Sequence, residues 1–152
     1  MSLSGKLVSE LVINGPAERF YKVFREKCFL VPKICPNAIQ EVDIHDAEWD
    51  NHDHGSIKTW YYTVDGKAEV FKEKVEFYDQ KLTMVLVGME GDVFNYYKSY
   101  KSTFQVVPKD DNHCQAVMTI EYEKIDDASP YPYKYIHLMN TVTKDIESHL
   151  IK

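Results

Sequence analysis

The feature that most restricts this chain is one amphipathic stripe at its end. Across residues 129–152, Tyr131, Tyr135, Leu138, Met139, Val142, Ile146 and Leu150 recur at steps of three and four. That is the period of an apolar helix face. Ser129 is placed to cap it, with Pro130 and Pro132 in a first turn that needs no backbone N–H. About 20 helical residues span roughly 30 Å. Nearly everything before the stripe alternates at period two, so the only surface on which one long helix can bury that face is a sheet.

The pattern begins with a strand over 7–13, broken by Asn14-Gly15-Pro16. Pro16 opens a helix over 17–26 with Phe20, Val23 and Phe24 on one face, and Pro32 and Pro36 allow a second short helix over 31–36. Strands follow at 38–45, 56–64, 67–78, 82–89, 93–107 and 113–123. Asp65-Gly66 reads as a two-residue hairpin turn. Phe71, Glu73, Val75 and Phe77 share one face of their strand, and Cys114, Ala116, Met118, Ile120 and Tyr122 share one face of the last. The expected architecture is α+β: strand, two short helices, six strands and a long helix, with a curved seven-stranded antiparallel sheet around the terminal helix. It is expected as one domain over 1–152.

Eleven tyrosines, seven phenylalanines and two tryptophans are a heavy aromatic load for 152 residues. Where sheet and helix do not touch everywhere, such residues line a hollow with an apolar body and a few polar points. A net charge of −6 without a basic stripe argues against nucleic acid. Cys28, Cys35 and Cys114 are odd in number and lack CxxC spacing, so they read as buried apolar side chains in a reducing compartment. No N-terminal signal pattern and no apolar run of about 18 residues is present, so a cytoplasmic protein that does not engage a membrane is expected.

Several short pieces carry a family resemblance. They are Gly5-Lys6-Leu7 with Glu10, Ala38-Ile39-Gln40, Asp43-Ile44-His45 before Glu48-Trp49, and Gly55-Ser56-Ile57 with Trp60. Asp65-Gly66-Lys67-Ala68, Lys72-Glu73, and Glu90-Gly91-Asp92 with Tyr97-Lys98-Ser99 continue it. Glu121-Tyr122-Glu123-Lys124, and Asp145-Ile146-Glu147 with His149-Leu150, close it. Together, in this order, they resemble the plant major latex protein group of the Bet v 1 superfamily, relatives of the pathogenesis-related class 10 proteins. The resemblance implies a helix-grip fold with a large internal cavity, a cytosolic protein linked to plant defence or stress, and a small hydrophobic ligand. A minority of such proteins are enzymes of specialised metabolism. The loop over 46–55 departs from the family's glycine-rich pattern: its one glycine is Gly55 and it is acidic, so it is not expected to cradle phosphate.

Within this frame the cavity wall is expected to include Trp60, Tyr62, Phe71, Phe77, Tyr100, Phe104, Met118, Tyr135, Met139 and Val142. If the chain is an enzyme, Glu73 is a carboxylate in an apolar hollow with a raised pKa, suited to acid–base work. Tyr97, beside Tyr96, would orient an oxygen of the substrate. His137, beside Asn140, would titrate at the cavity mouth. Lys98 reads as a surface lysine. His45, His52 and His54 with Asp50 and Asp53 lack a fourth ligand at metal-site spacing and read as a solvated loop, so no metal or other cofactor is expected. The first reading is a binder of a small hydrophobic plant metabolite, as a monomer or weak dimer. The alternative is a cofactor-free cyclase or isomerase acting on a terpenoid, iridoid or alkaloid intermediate in the same cavity. An interaction protein without a ligand leaves the aromatic load unexplained.

Overall fold

In the computed structural model, which describes residues 3–45 and 47–150, strand β1 (Ser4–Asn14) leads into helices α1 (Ala17–Glu26) and α2 (Val31–Ile34). Strands β2 (Ile39–His45), β3 (Ile57–Val64), β4 (Lys67–Tyr78), β5 (Thr83–Gly91), β6 (Tyr97–Asp110) and β7 (His113–Lys124) follow, and helix α3 (Tyr133–Leu150) closes the chain. Every strand pair is antiparallel, in the order β1-β7-β6-β5-β4-β3-β2. Asp46, the first residue of the expected acidic loop, and Ile151 and Lys152, the last of the expected helix, lie outside the described residues.

Local sequence explains the pairing. Asp65 and Gly66 both take positive φ, 51° and 75°, as a type I′ turn requires, and this sets Val64 opposite Lys67. Period-two alternation then buries Glu69, Phe71, Glu73, Val75 and Phe77 of β4 on the concave side. It does the same for Cys114, Ala116, Met118, Ile120 and Tyr122 of β7. Each buried Val, Ile, Met or Phe among them contributes about 1.5–3 kcal/mol. Pairing slips between Lys72 and Glu73 and between Tyr97 and Ser99 curve the sheet toward α3.

Helix α3 lies across the concave face and is tied to β1 by polar contacts. Ser9 Oγ donates to Asn140 Oδ1 at 2.7 Å, and the Asn14 backbone N–H donates to Glu147 Oε2 at 2.7 Å. Burial raises the pKa of the Glu147 carboxyl, but the hydrogen bonds from Lys144 and Asn14 and the charge of Lys144 outweigh it, and the group stays below its ordinary value.

Two expected boundaries move. The helix begins at Tyr133, not around Ser129, and the Pro132 carbonyl accepts from the Tyr135 and Ile136 N–H groups. Pro130 and Pro132 each push the preceding residue toward extended backbone, so regular helix starts only after the second. Tyr131 therefore leaves the buried stripe. It is exposed, with Lys124 Nζ 3.6 Å from its ring centroid. The strand expected from Val93 begins at Tyr97, because Asp92–Asn95 forms a 3-10 turn and β5 extends through Gly91. Asp92 fixes that turn by accepting the Val70 N–H at 2.8 Å.

Candidate ligand cavity

Between the sheet and α3 lies a cavity of about 100 Å³. From the sheet, Trp60 and Tyr62 of β3, Phe71 of β4, Met84 and Leu86 of β5, and Tyr100, Ser102 and Phe104 of β6 face it. From α3, Tyr135, Leu138, Met139 and Val142 face it, and Phe24, Val31, Ile39 and Val93 complete the lining. The space is far smaller than the large cavity implied by the resemblance. Aromatic rings take up the difference: Phe24 packs on Phe104 with centroids 4.9 Å apart, Phe71 on Tyr100 at 5.5 Å, and Tyr100 on Tyr135 at 5.8 Å. It is still several times the roughly 10–15 Å³ that one water needs. The flexible Met84 and Met139 give part of the wall room to adapt.

The wall is polar at one end. Glu69, 2 % exposed, accepts from the Tyr62 hydroxyl at 3.0 Å and from the Tyr135 hydroxyl at 2.8 Å, both on Oε1. Lys134 Nζ is 3.5 Å from its Oε2. Burial raises the pKa of both phenols, and the charge of Glu69 and the hydrogen bonds to it raise them further. Tyr100 is raised as well, by burial and then by neighbouring Tyr97 and Glu69. Its hydroxyl has no hydrogen-bond partner among the described residues.

Of the wall positions expected from sequence, Trp60, Tyr62, Phe71, Tyr100, Phe104, Tyr135, Met139 and Val142 surround this space. Phe77 and Met118 do not. The Phe77 ring lies 5.6 Å from that of His52, beneath the Arg25 guanidinium at 4.1 Å. Met118 is fully buried at the helix–sheet contact, where its Sδ accepts from Thr143 Oγ1. Both point to the concave side but lie beyond the hollow.

The three acid–base candidates are not brought together. Glu73 is fully buried behind Trp60, whose indole N–H donates to its Oε2 at 3.0 Å, and Lys58 Nζ sits 3.2 Å from the same oxygen. Burial raises its pKa, against the charge of Lys58 and the hydrogen bond from Trp60. Tyr97 already donates its hydroxyl proton to the Pro130 carbonyl at 2.8 Å. His137 is exposed on the outer side of α3, and Asn140 beside it holds Ser9. Lys98 is an exposed side chain 3.9 Å from Glu123.

On the strands around the cavity, sequence reasoning missed two buried charged groups, Lys58 and Glu69. Each carried a signal. Lys58 shares the parity of Trp60, Tyr62 and Val64, and Glu69 shares that of Phe71 and Glu73. The histidine loop is also not wholly solvated. His52 is 5 % exposed between Trp49 and Phe77, with Nδ1 2.7 Å from the Trp49 carbonyl, and burial first lowers its pKa. His45 bonds Thr59 and His54 accepts from the Phe77 N–H, so the rings diverge. Among the described residues no group of three His, Cys, Asp or Glu could hold a metal ion. The three cysteines are free and buried, and burial first pushes the Cys28 and Cys35 thiols up to about 12. Among the described residues, no helix is long and apolar enough to cross a membrane.

A seven-stranded sheet gripping one long helix over an apolar hollow defines a helix-grip protein. Residues 2–152 match the profile of the pathogenesis-related protein Bet v 1 family, and the chain belongs to it. It is 38 % identical over 152 residues to MLP-like protein 328 of Arabidopsis thaliana, covering 100 % of this chain and 99 % of that relative. The resemblance to major latex proteins read from the sequence therefore holds. The crystal structure of major latex-like protein 151 from Panax ginseng superposes with a TM-score of 0.90 at 30 % identity, covering 97 % of both chains. Norcoclaurine synthase from Thalictrum flavum, solved with dopamine and hydroxybenzaldehyde, has a TM-score of 0.71 at 17 % identity over 97 % of this chain and 89 % of its own, which shows a shared fold.

Proposed function

We propose that this protein takes one small, mostly apolar molecule into the hollow between sheet and α3. The observation that carries the reading is the wall itself. Sixteen side chains from sheet and helices converge on one space between the sheet and α3, and all but a few hydroxyls among them are apolar. Core packing alone tends to fill such space. The free, buried cysteines support a reducing compartment such as the cytoplasm, and the family match over nearly the whole chain supports one domain.

The alternative, a cofactor-free cyclase or isomerase, shares the cavity. It would work through Tyr100, a buried residue of the wall whose hydroxyl makes no hydrogen bond among the described residues. Glu73, Tyr97 and His137 lend it little, because none of them lies on the wall. Norcoclaurine synthase shows that this fold can host catalysis, but a fold does not specify chemistry.

Titration with N-phenyl-1-naphthylamine, a neutral apolar fluorophore, tests the binding reading. We expect saturable emission enhancement at one site per chain. Val142→Trp places an indole in the hollow and is expected to weaken that binding tenfold or more. Its stability should change by no more than about 1–3 kcal/mol, since the added volume enters existing space. Equal affinity in the variant, or binding that never saturates, contradicts the proposal.

A further inference from the structure

The polar end of the cavity selects among guests. We infer that the hollow is built for a neutral molecule bearing a hydroxyl or phenol, and that it discriminates against carboxylates. This rests on the binding reading above and adds the chemical class of the guest.

The protons at this end already have fixed directions. A tyrosine hydroxyl has one proton to donate. Tyr62 and Tyr135 both give theirs to Glu69 Oε1, at 3.0 and 2.8 Å. Toward the cavity, each therefore has only lone pairs to offer. Behind them stands a carboxylate that is 2 % exposed, and Lys134, the one cation paired with it among the described residues, approaches the other oxygen at 3.5 Å from the solvent side. Across the same end, the Tyr100 hydroxyl makes no hydrogen bond among the described residues, so its proton is free to donate. Its ring lies 5.8 Å from that of Tyr135.

A guest hydroxyl meets both demands at once. Its proton goes to the oxygen of Tyr62 or Tyr135, and its oxygen accepts from Tyr100. A methyl ether or ketone meets only the second. A carboxylate places acceptors against acceptors and a negative charge near Glu69, where the low dielectric makes like charges repel strongly. A site built around a hydroxyl discriminates against analogues that leave its buried polar groups unpaired.

The test uses three probes on one skeleton: 4-propylphenol, its methyl ether 4-propylanisole, and 4-propylbenzoate. Each is titrated against bound N-phenyl-1-naphthylamine at pH 7. We expect the phenol to displace the fluorophore at a concentration about tenfold below the ether and a hundredfold below the benzoate. In Glu69→Gln the charge is gone and the new amide can donate to a phenol oxygen, which frees a tyrosine proton for the guest. There the benzoate should gain tenfold or more relative to the phenol. Tyr135→Phe provides a second route if Glu69→Gln folds poorly: the phenol should lose affinity while the ether does not. Benzoate competing as well as the phenol in the unmodified protein overturns the inference, as does an order of affinities that neither variant changes. If the fluorophore and all three probes fail to bind, the binding reading itself falls.

Discussion

Lys58→Met lowers the unfolding free energy by about 3–5 kcal/mol at pH 8, more than any conservative substitution on the cavity wall. Lys58 and Glu73 are each fully buried, and their charged atoms lie 3.2 Å apart. Methionine keeps the length and fills the volume, but it leaves a buried carboxylate with only the Trp60 N–H for company, and breaking a buried pair by removing one partner costs in that range. Among the described residues Glu73 Oε1 has no hydrogen-bond partner, and Lys58 Nζ has none of good geometry beyond its 3.2 Å approach to Oε2, so the pair is a weak source of stability to begin with. Lys58→Met/Glu73→Leu, which removes both charges, should therefore return to within about 1 kcal/mol of the parent or exceed it.

The pH dependence has a defined sign. Burial raises the folded pKa of Glu73 above the ordinary value of 4.5. Between those two pKa values the folded chain holds a proton that the unfolded chain has released, so this group's contribution to stability falls as pH rises. Without Lys58, which holds the pKa down, the effect grows. The deficit of Lys58→Met should thus be largest near pH 8 and shrink toward about pH 5. Urea unfolding followed by tryptophan fluorescence at both pH values measures it. A deficit below about 1 kcal/mol at both would show that the charges are not buried together.

The second large effect is at Gly91. Its φ of +134° is one that side-chain-bearing residues rarely adopt, and an added Cβ would run into the Val70 carbonyl oxygen and come within 3.0 Å of Phe71 Cα. Strain of about 1–3 kcal/mol and overlap of similar size together give Gly91→Ala a loss of about 2–5 kcal/mol. Gly91 pairs with Phe71 beside the slip in β4–β5 register, so the damage falls on the cavity wall, and fluorophore affinity should drop with stability. Gly66→Ala serves as the comparison. Gly66 also has positive φ, 75°, but nothing lies within 4 Å of the added atom, and the cost should stay near 1–2 kcal/mol. Equal losses at the two glycines would show that backbone conformation, not the close approach of β4, governs the site.

Much of the fold was legible because its signals are local. Alternation placed Phe71, Glu73, Val75 and Phe77 on one face, and Asp65-Gly66 marked its hairpin by needing positive φ twice. The stripe of α3 from Tyr135 to Ile146 announced its buried face. What sequence did not show depends on partners distant along the chain. Parity says that Phe77 and Met118 point inward, but only the position of Arg25 and His52 over one and Thr143 over the other puts them outside the hollow. Lys58 and Glu69 look like surface charges until Glu73 and the phenols of Tyr62 and Tyr135 are found beside them. Tyr97 and His137 fail as cavity groups for a similar reason. The partner of Tyr97 is Pro130, in a turn whose path two prolines decide, and the side of α3 that His137 faces depends on where that helix starts.

Methionine methyl resonances give the most direct test of an occupied hollow. Met84 and Met139 lie on its wall, Met118 is buried outside it, and Met89 is exposed at the sheet surface. With methyl-labelled protein titrated with 4-propylphenol, Met84 and Met139 are expected to shift together and saturate at one equivalent, while Met89 stays still and Met118 moves little. Shifts confined to Met89, or a silent Met84 and Met139 while the probe binds, would contradict an occupied hollow.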